Sequence, residues 1–336
     1  MTDRPAVSVC MPAYNAERWI AESIESVLAQ TFGDFELVIS NNASTDATLE
    51  IASSYDDPRI RIESTSKVIA PVLNHNRSVA LSRSRLIKFL HADDLLLPGC
   101  LEEMLALAAE DPRVGLVFAG RDVLLDDPHD EGDIEWSRTY ARLQDHFTDL
   151  QHLNDGRMLF RQMLAAGIDQ NWVGEPSAVL VTREALTRVG LFNPRMPQIA
   201  DLDLWLRIML EYRVGYIPRV LSVYRHHSQS GTAQNARLGR DWLDALWMFE
   251  GLAAGSALTT DERARIVQLR NSTLRRAMLS QLRRIVNLQF SPSLVSYSTH
   301  RARALVGRAP RAAPLEPLPA EAPPRESPAT GDPAPR

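Results

Sequence analysis

Cysteine is nearly absent from this chain: Cys10 and Cys100 are the only two among 336 residues. Neither stands in a metal-binding or redox spacing, so both read as small core residues of a protein kept in a reducing compartment. Long apolar runs are missing as well. No stretch nears the ~18 consecutive apolar residues of a membrane span, and the first apolar run, Val7 to Met11, is too short for a secretory signal. Charge of one sign does not dominate: 37 Lys and Arg face 42 Asp and Glu, a net charge of −5. That balance argues against a general nucleic-acid binder. No Gly-x-Gly-x-x-Gly follows the first apolar run, which disfavours dinucleotide-dependent redox chemistry. The absences predict a cytoplasmic protein, at most peripheral at the inner face of a membrane.

What is present suffices for a full core, with 45% apolar and 24% charged residues. Ala6 to Met11 reads as a buried strand, and Ile20, Ile24, Val27 and Leu28 mark one face of the helix that follows. Phe35 to Ile39 is a second strand, after which Ser44 or Thr45 would cap a helix with Asp46 in its first turn. Arg59 to Glu63 alternates as a half-buried strand. A helix from about Asn74 to Ser84, a strand from Leu86 to Leu90, a helix opened by Pro98 and a strand from Val114 to Ala119 continue the pattern. Such alternation predicts an α/β fold with a mixed, mostly parallel sheet and helices on both faces. Residues 126–156 read as an insertion or loop region. A helix from Met158 to Ala165, a strand from Ser177 to Thr182, a helix from Asp201 to Tyr212 and strands at Val214 to Ile217 and Val220 to Tyr224 complete a catalytic domain over residues 1–232.

A helical extension follows over 233–308. Between Arg263 and Arg308 there are ten arginines and no Asp, Glu or Lys. Leu274, Met278, Leu282, Ile285 and Leu288 form its apolar stripe. A helix packed on the catalytic domain explains this, and so does peripheral contact of the basic helices with an anionic membrane. Residues 309–336 hold nine of the 21 prolines and are expected to be a disordered tail.

In open α/β sheets ligands bind beyond the carboxyl ends of the strands, so the residues just after each strand carry the chemistry. These are Pro12-Ala13-Tyr14-Asn15, then Asn41-Asn42-Ala43-Ser44-Thr45-Asp46, then His91-Ala92-Asp93-Asp94. Three polar clusters converging on one edge suit a ligand with a ring to stack and phosphates to neutralise. Asn15, Ser44 and Asp46 also make good helix caps. Adjacent carboxylates at a strand end repel unless a cation lies between them, and Mg²⁺ or Mn²⁺ takes oxygen ligands while keeping positions open for phosphates. Asp201, at the start of a helix, is placed to take a proton from an acceptor hydroxyl. Asp203 and Arg207, four apart, make an ordinary surface pair. His226 and His227 follow a strand and either reach a metal or sit as a surface pair. Trp172 and Glu175, in a Gly- and Pro-punctuated loop, suit a sugar platform, although Trp172 fits a core equally well.

The ordered set of these segments resembles family 2 glycosyltransferases. It runs from Val7-Ser-Val-Cys-Met-Pro-Ala-Tyr-Asn15 through Ser26 to Phe32, Phe35 to Asp46, Phe89-Leu-His-Ala-Asp-Asp94 and Asp201-Leu-Asp-Leu-Trp-Leu-Arg207 to Ile217–Arg225. The resemblance covers about residues 6 to 231 and implies the GT-A fold, a Rossmann-like nucleotide-diphospho-sugar transferase architecture. It implies an inverting transferase moving a sugar from a nucleoside diphosphate-sugar, UDP or dTDP first, to a saccharide or lipid-linked acceptor. Mg²⁺ or Mn²⁺ would be the cofactor and cell-surface polysaccharide or glycoconjugate assembly the setting. By that similarity Pro12, Ala13, Tyr14, Asn15, Asn41 and Asn76 line the donor pocket. His91 and Asp93 occupy the metal motif and Asp201 is the base; apart from the resemblance, His227 is a candidate further ligand and Trp172 and Glu175 candidate acceptor contacts. Three departures stand out: Asn41-Asn42 replaces a commonly acidic pair, His91 replaces the motif's first aspartate, and Ala200 stands where a glutamate usually precedes the base. A silent sugar-nucleotide binder remains a second class. A nucleotidyltransferase is a third, disfavoured because Pro-Ala-Tyr-Asn replaces a Gly-rich basic loop.

Overall fold

A computed structural model of the chain describes residues 4–227 and 241–286. The expected Pro-rich tail and the stretch of the C-terminal extension beyond 286 lie outside the described residues. The first half alternates as its hydrophobic pattern requires: β1 (Val7–Ala13), α1 (Ile20–Leu28), β2 (Phe35–Asn41), α2 (Thr48–Ser53), β3 (Ile60–Ser64), α3 (Pro71–Leu81) and β4 (Leu86–Phe89). A two-residue β5 (Leu95–Leu96), α4 (Cys100–Glu110) and the long β6 (Val114–Leu125) follow. Then come α5 (Glu131–Tyr140), β7 (Leu153–Asp155), α6 (Gly156–Ala166), β8 (Val179–Thr182), α7 (Arg183–Val189), α8 (Ala200–Met209) and β9 (Arg213–His226). Two further helices, α9 (Asp241–Ala254) and α10 (Thr260–Val286), close the described chain.

The strands form one sheet in the order β3-β2-β1-β4-β8-β6-β9-β5, with β7 paired to β9. β1 runs parallel to β2 and β4, β2 to β3, and β6 to β9, whereas β8, β5 and β7 are antiparallel to their neighbours. Two cores sandwich the sheet. On one side Ile20, Ile24 and Val27 of α1 and Leu101, Met104 and Leu107 of α4 meet Val7, Val9 and Met11. On the other Phe160 and Met163 of α6, Trp205 and Ile208 of α8 and Phe249 of α9 meet Phe89, Phe118 and Val181. Burying both faces explains why β1 and β2 read as near-continuous apolar runs.

Several boundaries differ from expectation. The two strands expected at 214–217 and 220–224 are one strand, because β9 passes Pro218 through a bulge where the β6–β9 register shifts around Gly120. A Cβ on Gly120 would lie 2.9 Å from the Arg219 carbonyl, so glycine permits that close approach. Residues 126–156 are not simply a loop. They hold α5, whose N-cap Asp130 accepts the Asp133 amide. None of its residues is buried, so no apolar stripe announced it. Asp203 is buried, not surface, and pairs with Arg207 at 2.8 Å.

Gly156 opens α6 against the end of α8, where an added Cβ would fall 2.2 Å from the Tyr212 carbonyl oxygen and 2.5 Å from that of Met209. Backbone cannot yield as a side-chain tip can. Gly156→Ala is expected to destabilise the fold by about 1–3 kcal/mol, read as a lower thermal midpoint; an unchanged midpoint would refute this packing.

Candidate functional site

The site forms at the carboxyl ends of β1, β2, β4 and β9. β4 ends at Phe89, and the chain turns through His91-Ala92-Asp93-Asp94. Asp94 is fully buried and does not face the cleft. Its Oδ2 accepts the Ser177 hydroxyl at 2.5 Å and its Oδ1 accepts the Arg225 amide at 2.8 Å. Ser177 in turn accepts the His91 amide at 3.0 Å. Lys88, fully buried behind it, donates to the Ser177 carbonyl at 2.5 Å, and burial pulls that ammonium down to about 8. One carboxylate thus fastens the β4 end, the loop before β8 and the end of β9.

His91 was expected to ligate a metal. Its ring is already engaged on both sides. Nε2 lies 2.9 Å from Nε2 of His75, and Nδ1 lies 3.4 Å from Asp94. His75 must donate from Nδ1 to the Pro71 carbonyl at 3.0 Å, leaving its Nε2 to accept from His91. His91 therefore carries protons on both nitrogens. Burial opposes that charge, but Asp94, Asp93 and Glu175 outweigh it and lift His91 to about 9, while burial and the His91 charge push His75 down to about 3. In this cation-free arrangement both ring nitrogens are engaged, so His91 would ligate a metal only by giving up His75 or Asp94.

Asp93 is the reachable member of the motif, its side chain 28% exposed. Burial disfavours its charge, but a hydrogen bond from His227 (Nε2 to Oδ2, 3.0 Å) and the neighbouring His91 hold it below the ordinary carboxylate range. His227 stacks on Trp19 at 4.1 Å and leaves Nδ1 without a partner. Ligand atoms of His91, Asp93 and Asp94 lie within 4.8 Å of one another. That group could hold a divalent cation, and His227, against Asp93, has its Nδ1 turned to no other side chain.

The expected donor residues divide in two. Tyr14 is 50% exposed and free to stack. Ala13 is buried under the loop, next to the half-buried Pro12. Asn15 sits at φ 47° and accepts the Thr45 amide at 2.9 Å, so it locks two loops instead of capping α1. Ser44 accepts the Asn15 amide instead of capping α2, whereas Asp46 accepts both the Glu17 amide and, at 3.0 Å, the amide of Thr48, the first residue of α2. Asn41 is only 2% exposed, donating to Ser64 and accepting from Ser44, so it shapes the pocket floor and does not offer a free amide. Asn76, expected at the donor, has its side chain engaged within the protein. Both ends of its amide clamp the Phe192 backbone.

Asp201 lies in the first turn of α8. Its Oδ1 accepts the Leu202 amide at 2.8 Å and its Oδ2 the Asn171 side-chain amide at 2.9 Å. Asn171 also holds the Gly174 carbonyl, which the buried Trp205 indole clasps at 3.0 Å. Gly174 takes φ 111°, a region that favours glycine. Burial first, then the charge of Glu175, raises Asp201 to about 6, while His91 acts in the opposite sense. The acid missing at position 200 has a spatial substitute in Glu175.

Trp172 is not a sugar platform: it is 7% exposed, with His146 stacked at 5.4 Å and Phe147 edge-on at 5.1 Å. Glu175 is paired with Arg121 at 2.7 Å. Sequence reasoning missed Arg121, His75 and Ser177 because each acts through a residue distant in the chain, and gave Asn171 no role. A cavity of about 390 Å³ among Arg113, Arg157 and Tyr212 lies at the amino ends of β6 and β9, away from this chemistry.

The family model for glycosyl transferase family 2 matches residues 8–166. Uncharacterized protein MT1568 of Mycobacterium tuberculosis is 36% identical over 241 residues, 72% of this chain and 73% of that protein. The putative glycosyltransferase EpsE of Bacillus subtilis is 39% identical over 125 residues, 36% of this chain and 44% of its own length. Among solved structures, S. aureus TarS 1–349 in complex with UDP-GlcNAc shares 15% identity and a TM-score of 0.61, covering 90% of this chain and 83% of its own. The mannosyltransferase PcManGT of Pyrobaculum calidifontis, in complex with GDP-Man and Mn²⁺, shares 18% identity and a TM-score of 0.55 with 90% and 81% coverage. The fold and site define a GT-A glycosyltransferase. The chain belongs to glycosyl transferase family 2.

Removing the Asp94 carboxylate strands the Ser177 hydroxyl, the Arg225 amide and the His91 charge in the interior. Asp94→Ala is expected to lose about 3–5 kcal/mol of stability, measured by chemical denaturation. A loss below about 1 kcal/mol, the range of a typical exposed ion pair, would contradict the role given to this carboxylate.

Proposed function

We propose that the chain transfers a sugar from a nucleoside diphosphate-sugar to an acceptor hydroxyl with inversion, in assembling a cell-surface polysaccharide or glycoconjugate. The observation that carries this reading is Asp201. It is a half-buried carboxylate held by two donors, one on each oxygen, with a raised pKa, in the same charge cluster as Asp93 and Glu175. Each Asp201 oxygen keeps a lone pair for an incoming hydroxyl.

The donor, a UDP- or dTDP-sugar, would stack its base on Tyr14 and lay its diphosphate towards Asp93 and His227. Mg²⁺ or Mn²⁺ bound there supplies positive charge to a diphosphate leaving group. His91, a cation one residue from that ligand pair, adds a second positive charge. Asp201 takes the proton from the acceptor hydroxyl, whose oxygen forms the new bond at the anomeric carbon. The bond from that carbon to the diphosphate breaks on the opposite face, and the nucleoside diphosphate leaves with the electron pair.

Asp201 works only when ionised. Its pKa of about 6 predicts that kcat rises with pH through about 6 and then levels. Asp201→Asn is expected to lower kcat about 10²- to 10⁴-fold and abolish that limb while leaving donor affinity unchanged; near-normal turnover would refute the assignment. Asp93→Ala is expected to remove the Mn²⁺ dependence of UDP-sugar affinity in calorimetric titration. Unaltered Mn²⁺ dependence would contradict its role.

A further inference from the structure

Eight buried side-chain nitrogen or oxygen atoms among the described residues lack a hydrogen-bond partner; three of them, Nη1 of Arg121, Oγ of Ser222 and Nδ1 of His226, belong to the adjacent strands β6 and β9, and two more, Nε of Arg121 and Oε1 of Glu175, meet only each other as an ion pair. Native proteins satisfy buried polar groups, so such a concentration calls for a missing partner. Arg121, Ser222 and His226 are each more than nine-tenths buried. Ser222, Tyr224 and His226 occupy alternate positions of β9 and share one face. Ser222 stands opposite Arg121 in the β6–β9 ladder, and the Arg121 guanidinium lies 5.7 Å from the Tyr224 ring. Arg121 and Glu175 are close as ions, at 2.7 Å, but misaligned as a hydrogen bond.

Helix α5 closes this face. Trp136 stacks on His226 at 4.1 Å, Asp133 meets His226 Nε2 at 3.0 Å, and Arg121 Nη2 donates to the Tyr140 carbonyl at 2.8 Å. Yet none of the helix's own residues is buried. A cover anchored by so little apolar surface opens at small energy.

We propose that this face is the acceptor-saccharide subsite, opened when α5 lifts, where a pyranose ring rests on Tyr224 and its hydroxyls bond Arg121, Glu175, Ser222 and His226. The donor set decides the ligand class. A phosphate meets Glu175, a bare cation meets Arg121, and a ring of hydroxyls both gives and takes at each. Aromatic lining with a few convergent polar groups is the composition of a small-ligand site. Glu175 also joins the subsite to the base, since its charge acts on Asp201. The inference rests on the sugar-transfer reading and extends it to the acceptor.

The test is saturation-transfer NMR on the full chain loaded with UDP, dTDP or GDP, using millimolar methyl glycosides of glucose, galactose, mannose and N-acetylglucosamine as probes. At least one glycoside is expected to bind beside the nucleotide. Its affinity should fall about three- to tenfold in Ser222→Ala and in Glu175→Gln, as loss of one hydrogen bond does. Nucleotide affinity should stay within about twofold, the change of a few tenths of a kcal/mol that an untouched site allows. Ser222→Ala should melt no lower than the parent, because its hydroxyl has no partner to lose. No glycoside signal on the nucleotide-loaded protein, or signals unchanged in both variants, would overturn the subsite and leave water as the partner of these atoms. If no nucleotide binds, the sugar-transfer reading falls and this inference with it.

Discussion

A single buried carboxylate organises this molecule. Asp94 accepts from Ser177 and from the Arg225 backbone, and it faces a His91 ring that must be charged to satisfy its own partners. Charged hydrogen bonds in a water-poor interior are strong when complete and expensive when broken. The loop of residues 171–177, the turn after β4 and the last residues of β9 are therefore held in one relative position. Arg225 extends the bracing, donating to the Asp93 carbonyl and to Glu22 of α1. The catalytic candidates sit on this frame: Asp93 beside Asp94, and Asp201 gripped by Asn171.

The same frame sets the electrostatics. Charges of both signs, the buried Lys88, Arg121 and Asp94 with the half-buried His91 and Glu175, compensate one another, which leaves Asp201 partly desolvated but not overwhelmed. Its raised pKa comes from burial and from Glu175, and His91 limits the rise. Perturbed titratable groups that converge in one cleft mark functional sites more often than structural ion pairs do.

Strand positions were legible in the sequence because both faces of the sheet are covered, so β1 and β2 show dense β-branched runs. The polar clusters after β1, β2 and β4 were legible for a topological reason: parallel strands deliver their carboxyl ends to one edge. Less local features were hidden. Ser44 looked like a cap, since capping is a sequence-adjacent event, yet it binds an amide of a loop about thirty residues earlier, and Asp46 binds that loop as well as the first amide of its own helix. Asn76 looked like a donor ligand, but the Phe192 backbone, 116 residues away, occupies its amide. The contact of His91 with the His75 ring, sixteen residues earlier on another element, was likewise not legible. Helix α5 escaped notice because none of its own residues is buried. Glu175 could not be recognised as the neighbour of Asp201, because pairing across 26 positions leaves no periodic signal.

The division of labour between two adjacent aspartates is the central claim: Asp94 holds the frame, and Asp93 meets the cation. Crystals grown with Mn²⁺ and UDP, measured at the manganese absorption edge, test it most directly. The account predicts one anomalous peak beside the Asp93 carboxylate and the diphosphate, with Asp94 still bonded to Ser177 and Arg225. Manganese ligated by Asp94, or a diphosphate bound elsewhere on the molecule, would contradict it.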